Sequence, residues 1–209
     1  MRSAHIGANR FKLREGNTMS LVGMLLLAAI VVLGIYAVVA YNGLVALKHN
    51  VSKAWANIDV LLKQRHDELP KLIDTCRTYM TFEQETLDKV MRARSGVASA
   101  QAARDVSALS AADGELRAGL GKLFALVENY PDLKSNENFL HLQARITGLE
   151  NAIADRREFY NESVNVNNVR IEQFPDRMIA GWFRFAPAEL LRVPDEEKGD
   201  VSVGALFRG

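Results

Sequence analysis

This sequence predicts an all-α protein: an N-terminal single transmembrane helix followed by an antiparallel up-down helical bundle of about four helices. Three observations carry that prediction. No charged residue occurs from Met19 to Leu47. After that run, apolar residues recur at steps of three and four, which places them on one face of a helix. Pro numbers only 5 and Gly falls in a few clusters, which argues against a fold rich in strands and turns.

Residues 1–18 are polar, with Arg2, Arg10, Lys12 and Arg14 against Glu15, and nothing in them indicates a fold. Residues 19–41 form the span. Its core, Leu21 to Ala40, matches the roughly 20 apolar residues that cross a bilayer core of about 30 Å. The run exceeds a signal-peptide h-region and lacks a small-x-small cleavage site, so it reads as a retained anchor. Tyr36 and Tyr41 belong at its C-terminal interface. A start at Met1 puts four basic residues before the span and the bundle outside the cytoplasm. A start at Met19 leaves Lys48 and Lys53 as the nearest basic residues and reverses the orientation.

Residues 42–175 make the bundle. Its first helix, Leu44 to Tyr79, carries an apolar stripe through Val51, Trp55, Ile58, Leu62, Leu69 and Ile73. Pro70 lies inside it and should kink it near Arg65 to Asp67, giving one bent helix or two that meet there. Thr81 to Gln84 matches a capping box for a second helix, which fades in the Ala/Ser-rich stretch from Ser95 to Ala112. Ser110 with Asp113 marks the third helix. It ends at Tyr130-Pro131, because the residue before proline is pushed out of the α region. The fourth runs from Asn136 to Phe174 with Ser135 or Asn136 as its cap. It is roughly 55 Å long at about 1.5 Å per residue, and Pro175 stops it. Residues 176–209 begin with an aromatic-basic segment and become a polar tail, poorly ordered beyond Pro187.

Leu44 to Tyr79 and Phe139 to Phe174 cover the same length, and up-down-up-down is the simplest closure. Helix one leaves the membrane, so helix four returns to it. The segment around Ile179 to Phe185 then arrives beside the bilayer.

These residues resemble the LemA family. The resemblance rests on Tyr41-Asn42-Gly43-Leu44-Val45, Ala54-Trp55 with Ile58-Asp59-Val60, Asp67 to Pro70, Ala93-Arg94-Ser95, Glu128 to Lys134, Asn138-Phe139, Glu150-Asn151, Arg156-Arg157 to Tyr160-Asn161, and Phe174-Pro175. It covers roughly Ser20 to Phe185. It implies a short N-terminal anchor, an antiparallel helical bundle and a bacterial membrane protein. No enzymatic activity is established for the family, and one branch is linked to magnetosome formation. The chain departs from the pattern at Asn167, where a second Tyr is usual, and around Leu190-Leu191. Residues 1–18 also lack a counterpart, which favours Met19 as the start.

Chemistry is hard to find. The charge balance of +1 gives no field for nucleic acid. The single cysteine, Cys76, excludes an internal disulfide or a cysteine zinc site and reads as a small core residue. His5, His49, His66 and His141 do not pair at helical spacing, and no HExxH, P-loop, GxGxxG, GxSxG or Glu-x-x-His pattern is present. No enzyme, cofactor or metal is expected.

Three groups remain as candidate sites. Asp59, Arg65, Gln143, Glu150 and Arg157 are either a solvated flank or a polar layer, with Asp59 and Glu150 facing Arg65 and Arg157 to set helix register. Arg177, Trp182, Phe183, Arg184 and Phe185 are either bundle packing or a membrane-interface contact. Tyr130, Pro131 and Lys134 are either a helix stop or a partner-binding tip at the membrane-distal end. The function expected is a non-enzymatic single-pass scaffold of the bacterial inner membrane, with its side uncertain. Its partners are the lipid bilayer and either a second copy or another membrane protein. Alternatives are a membrane-shaping oligomer and an enzyme with an inter-subunit site.

Overall fold

The computed structural model describes the backbone of residues 4–192 and the side chains of residues 20–192. The side chains of residues 1–18, the choice between Met1 and Met19, and the tail beyond Arg192 lie outside the described residues. The described residues are all-helical: α1 (Ala4–Tyr79), α2 (Gln84–Ala103), α3 (Val106–Val127), α4 (Pro131–Lys134), α5 (Glu137–Glu172) and α6 (Asp176–Trp182).

Several boundaries differ from the sequence reading, each for a local reason. Residues 4–18 continue α1, because extending an existing helix costs far less than nucleating one. Pro70 stays inside α1, which is one helix and not two. Leu69, Leu72 and Ile73 beside it are fully buried, and their packing outweighs the lost backbone bond. The box at Thr81 does not form; α2 begins at Gln84 with no side-chain cap. The Ala/Ser-rich stretch belongs to α2 as far as Ala103. It closes with Arg104 in the left-handed region (φ 53°), where Asp105 N–H donates to Ala100 O and Arg104 N–H to Gln101 O. Asp105 then caps α3, its carboxylate accepting from Ala108 N–H at 2.8 Å, so α3 starts before Ser110. Asn136 caps α5 through Phe139 N–H at 3.0 Å.

The chain divides into two compact units. One contains Leu47–Val169 and the chain from Pro187. Its interior draws on the second part of α1 and on α2, α3 and α5, with Leu72, Leu87, Leu116 and Ile146 among its buried side chains. Cross-helix contacts give the directions. Asp59 and His66 of α1 meet Gln101 and Arg94 of α2, so these helices run antiparallel. A Cβ on Gly119 or Gly96 would come within 3.3 Å of Val90 or 3.5 Å of Ala112, so α2 and α3 are antiparallel and close. Glu68 and Tyr79 of α1 meet Arg145 and Asn136 of α5, again antiparallel. The result is an up-down-up-down bundle.

The segment after Pro187 is ordered as far as the described residues extend, against the sequence expectation. Asn168 brackets Ala188, accepting from its N–H and donating to its C=O, both at 2.8 Å. Asn161 brackets Leu191 in the same way, both bonds at 2.9 Å. Seven helical residues rise about 10.5 Å, and three extended residues span about 10 Å, so the two asparagines match the strand's repeat. Tyr160 donates to Glu189 O at 2.9 Å and Leu191 is buried, so the bundle edge is covered by an extended strap.

The other unit contains the apolar part of α1 and Arg170–Ala186. From Leu21 to Val39 the large apolar side chains are 50% to 70% exposed. With a mean hydropathy of 2.8 across its most apolar stretch, α1 is long and apolar enough to cross a membrane.

Cys76 is fully buried, and burial pushes its thiol up to about 12. Almost no thiolate then exists at pH 8, so the native protein should react with a thiol reagent only as the bundle opens. Timed alkylation with and without denaturant checks this. Rapid native labelling at the free-thiol rate would contradict the packing.

Candidate functional site

The centre of the bundle holds an ion network. Arg65 in α1 is 1% exposed and sits between two carboxylates. It donates through Nη2 to Asp113 Oδ1 at 2.5 Å and through Nη1 to Glu150 Oε1 at 2.6 Å. The other oxygen of Asp113 accepts from Arg157, and the second oxygen of Glu150 lies 3.6 Å from Arg117 Nε. Burial by itself would lower the Arg65 pKa. Asp113 first and Glu150 second outweigh that, and the net direction is upward. Arg65 and Arg157 balance Asp113 and Glu150, so this buried quartet is neutral.

Of the five residues read as a polar layer, Arg65, Glu150 and Arg157 meet here. Asp59 does not. It accepts from the Gln101 side chain at 2.7 Å, because its side of α1 faces α2 and not α5. Gln143 is half-buried in α5 and is not a partner of the network. Sequence reasoning missed Asp113, taking it as a helix-start signal. The usable clue was its register: Leu109, Asp113, Leu116 and Leu120 step by four, three and four, and all four are buried. An acid in an apolar stripe predicts a buried counter-ion.

Beside this network His66 accepts from Arg94 Nη2 at Nε2, 2.6 Å away, while Arg94 Nε donates to His66 O at 2.8 Å. Its Nδ1 is buried without a hydrogen-bond partner. Desolvation, then Arg94, lowers the His66 pKa, with Asp67 opposing.

Two hollows adjoin these groups. One among Ile58, Leu109, Asp113, Arg157 and Leu191 measures about 10 Å³, room for one water. The other is an open groove of about 590 Å³ lined by Lys48, Trp55, Asp59, Gln101, Arg104 and Tyr160. In it Asp59 and Gln101 bond each other, and Trp55 meets Tyr160 edge to face at 5.6 Å. Among the described residues no group of three or more His, Cys, Asp or Glu side chains could hold a metal ion.

The turn at Tyr130 is a single helical turn. Pro131 occupies the first position of α4, where a missing N–H costs nothing. Leu133 is fully buried beneath it, Tyr130 packs half-buried against the core, and Lys134 pairs with Glu128 on the surface.

In the unit containing the apolar part of α1, α6 lies against the C-terminal end of the apolar run. Tyr36 donates to Asp176 Oδ1 at 2.6 Å, and Arg170 pairs with the other carboxylate oxygen. Phe183 and Phe185 stack against Tyr41, with centroids 4.7 and 5.9 Å away. Arg184, at φ 56°, makes that return possible, with Phe185 N–H reaching back to Ala180 O. So the interface group read from the sequence splits. Trp182 is 86% exposed, Phe183 touches Tyr41 of α1 yet stays 57% exposed, Phe185 is half-buried against Tyr41, and Arg177 and Arg184 are exposed.

Two predictions follow from this geometry. Asp113→Ala strands Arg157 and leaves Arg65 with Glu150 alone, and should cost about 3–5 kcal/mol, whereas Glu150→Ala, at the wetter edge, should cost about 1–3 kcal/mol. Chemical denaturation of the full chain in detergent reads both, and equal losses would contradict the assigned centre. For His66, the unfolded ring takes its proton near its ordinary value of 6.5 and the folded ring only at lower pH. Its contribution is therefore intact above pH 6.5 and is lost as pH falls through the folded value. His66→Gln keeps an acceptor for Arg94 and should flatten stability measured across that range.

Comparison with known proteins gives relatives of one kind. Magnetosome proteins MamQ 2 and MamQ 1 of Paramagnetospirillum magneticum are each 33% identical to the chain over 96 residues, covering 46% of it. The matched stretch spans about a third (35%) of the length of those two relatives. Protein LemA of Metamycoplasma hominis is 26% identical over 167 residues, covering 79% of this chain and 74% of that protein. The sequence model of the LemA family matches residues 54–204, most of the bundle and the tail, and the chain therefore belongs to the LemA family.

Proposed function

We propose that this chain is a non-enzymatic, single-pass protein of the bacterial inner membrane whose bundle serves as an interaction scaffold. The observation that carries the proposal is the state of the polar interior. Its buried charges are spent on one another, the adjoining hollow of about 10 Å³ admits no substrate, and in the open groove of about 590 Å³ the Asp59 carboxylate is taken up by Gln101 and joins no cluster of acids, bases or metal ligands. What the bundle offers instead is surface. Phe159 and Val166, seven residues apart on the outer side of α5, are 53% and 42% exposed. Such apolar positions suit lateral contact with a second copy or another membrane protein.

A second reading, a membrane-shaping oligomer, draws on the exposed side chains of Phe174, Met178 and Trp182. Purified full-length protein that tubulates vesicles would favour it over a passive scaffold.

Two measurements test the first reading. In Cys76→Ala protein whose synthesis is fixed to begin at Met1, with cysteines placed singly at Ser3 and Ser107, an impermeant maleimide should label one position and not the other in whole cells. Labelling of both, or protection of both, would contradict a single pass. A photo-cross-linking residue at Phe159 should give discrete protein adducts, and one at the buried Ile153 should give none. Absence of adducts from Phe159 and Val166 alike would overturn the scaffold.

A further inference from the structure

α6 has two unlike faces. Asp176 and Ala180, one turn apart, are 4% and 1% exposed. Met178 and Trp182, one turn apart on the other side, are 67% and 86% exposed, and Phe174 just before the helix is 81% exposed. The buried face is held by polar chemistry: Asp176 accepts from Tyr36 and pairs with Arg170. The partner of that face is therefore the end of the apolar run itself. Tyr36 precedes Ala40 by one turn, about 6 Å at 1.5 Å per residue. That matches the roughly 5–10 Å to which interfacial helices bury their apolar sides.

We propose that α6 is an interfacial membrane helix clasped to the transmembrane helix. Phe174, Met178 and Trp182 insert between lipid chains just below the headgroups, and Asp176, Tyr36 and Arg170 hold the opposite face on the span. The occupant of the exposed face is lipid because the helix is bonded to the segment that lipid surrounds. The apolar surfaces of α6 and of Leu21–Val39 lie in one unit and are both uncovered. Arg177 and Arg184, both exposed, suit anionic headgroups at the same level. This rests on the reading that Leu21–Ala40 crosses a bilayer.

The chain has two tryptophans, Trp55 and Trp182. Trp55→Phe therefore leaves Trp182 as the only indole in full-length protein reconstituted into phosphatidylcholine–phosphatidylglycerol vesicles. Its emission should be blue-shifted, strongly quenched by lipids brominated near the headgroup end of the chain, and less quenched by lipids brominated near the chain terminus. Solvent-like emission quenched by aqueous acrylamide but not by brominated lipid would overturn the proposal. Protection from both quenchers would also overturn it, and would mean that protein covers the stripe. A Leu27→Trp variant lacking both native tryptophans separates the two levels. If it is quenched by terminal bromines while Trp182 is not quenched by any, the span stands and the interfacial helix falls. If neither is quenched, both fall. Should Trp55→Phe unfold the bundle, a polarity-sensitive dye on Met178→Cys in Cys76→Ala protein reads the same depth.

Discussion

The bundle depends on how the Arg65 guanidinium is neutralised. An arginine removed from water is costly unless paired and hydrogen-bonded in good geometry. Here the pairing comes from two other helices, Asp113 in α3 and Glu150 in α5, and Asp113 is shared with Arg157. A one-turn slip of any of these helices, about 5.4 Å, would break at least one pair and leave a buried charge without its partner. Leu, Val and Ala stripes tolerate such slips far better, because one apolar contact replaces another. The network thus selects one register among several that the apolar stripes alone would permit. The close approach of α2 to α3 at Gly119 and Gly96 adds a steric selection of the same register.

Much of this was legible in the sequence because it follows from spacing. The α1 and α5 stripes, the proline stop before Pro131 and the Asn136 cap each depend on residues within one or two turns. The boundary between α2 and α3 was not legible, because it rests on Arg104 adopting a left-handed conformation that glycine or asparagine would ordinarily announce. Arg184 hides the turn after α6 in the same way. Long-range pairing was half legible. The heptad spacing of Glu150 and Arg157 put them on one face, but which helix would answer them depends on tertiary contact. Asp59 was assigned to the wrong neighbour, and Asp113 was hidden by its resemblance to a capping residue.

Asparagine chemistry explains the least anticipated feature. A side-chain amide has the donor and acceptor of a peptide group, so Asn161 and Asn168 pair with an extended backbone as a neighbouring strand would. Each satisfies one residue of the strap in both directions, and the intervening Glu189 carbonyl goes to Tyr160. Composition alone marks residues after Pro187 as polar tail. The ordering lies in Asn168 and Asn161, twenty and thirty residues before the strap residues they bracket, whose target the sequence does not show.

The same strap bears on how α6 can behave. The chain between Glu172, where α5 ends, and Ala188, where the asparagine bonds begin, is tethered at both ends. A short tethered segment has already lost most of its freedom, so docking it on a neighbouring surface costs little further entropy. Contact with Tyr36 and Tyr41 then selects one position. A segment so restrained is suited to holding one position beside α1 and poorly suited to reaching a distant surface.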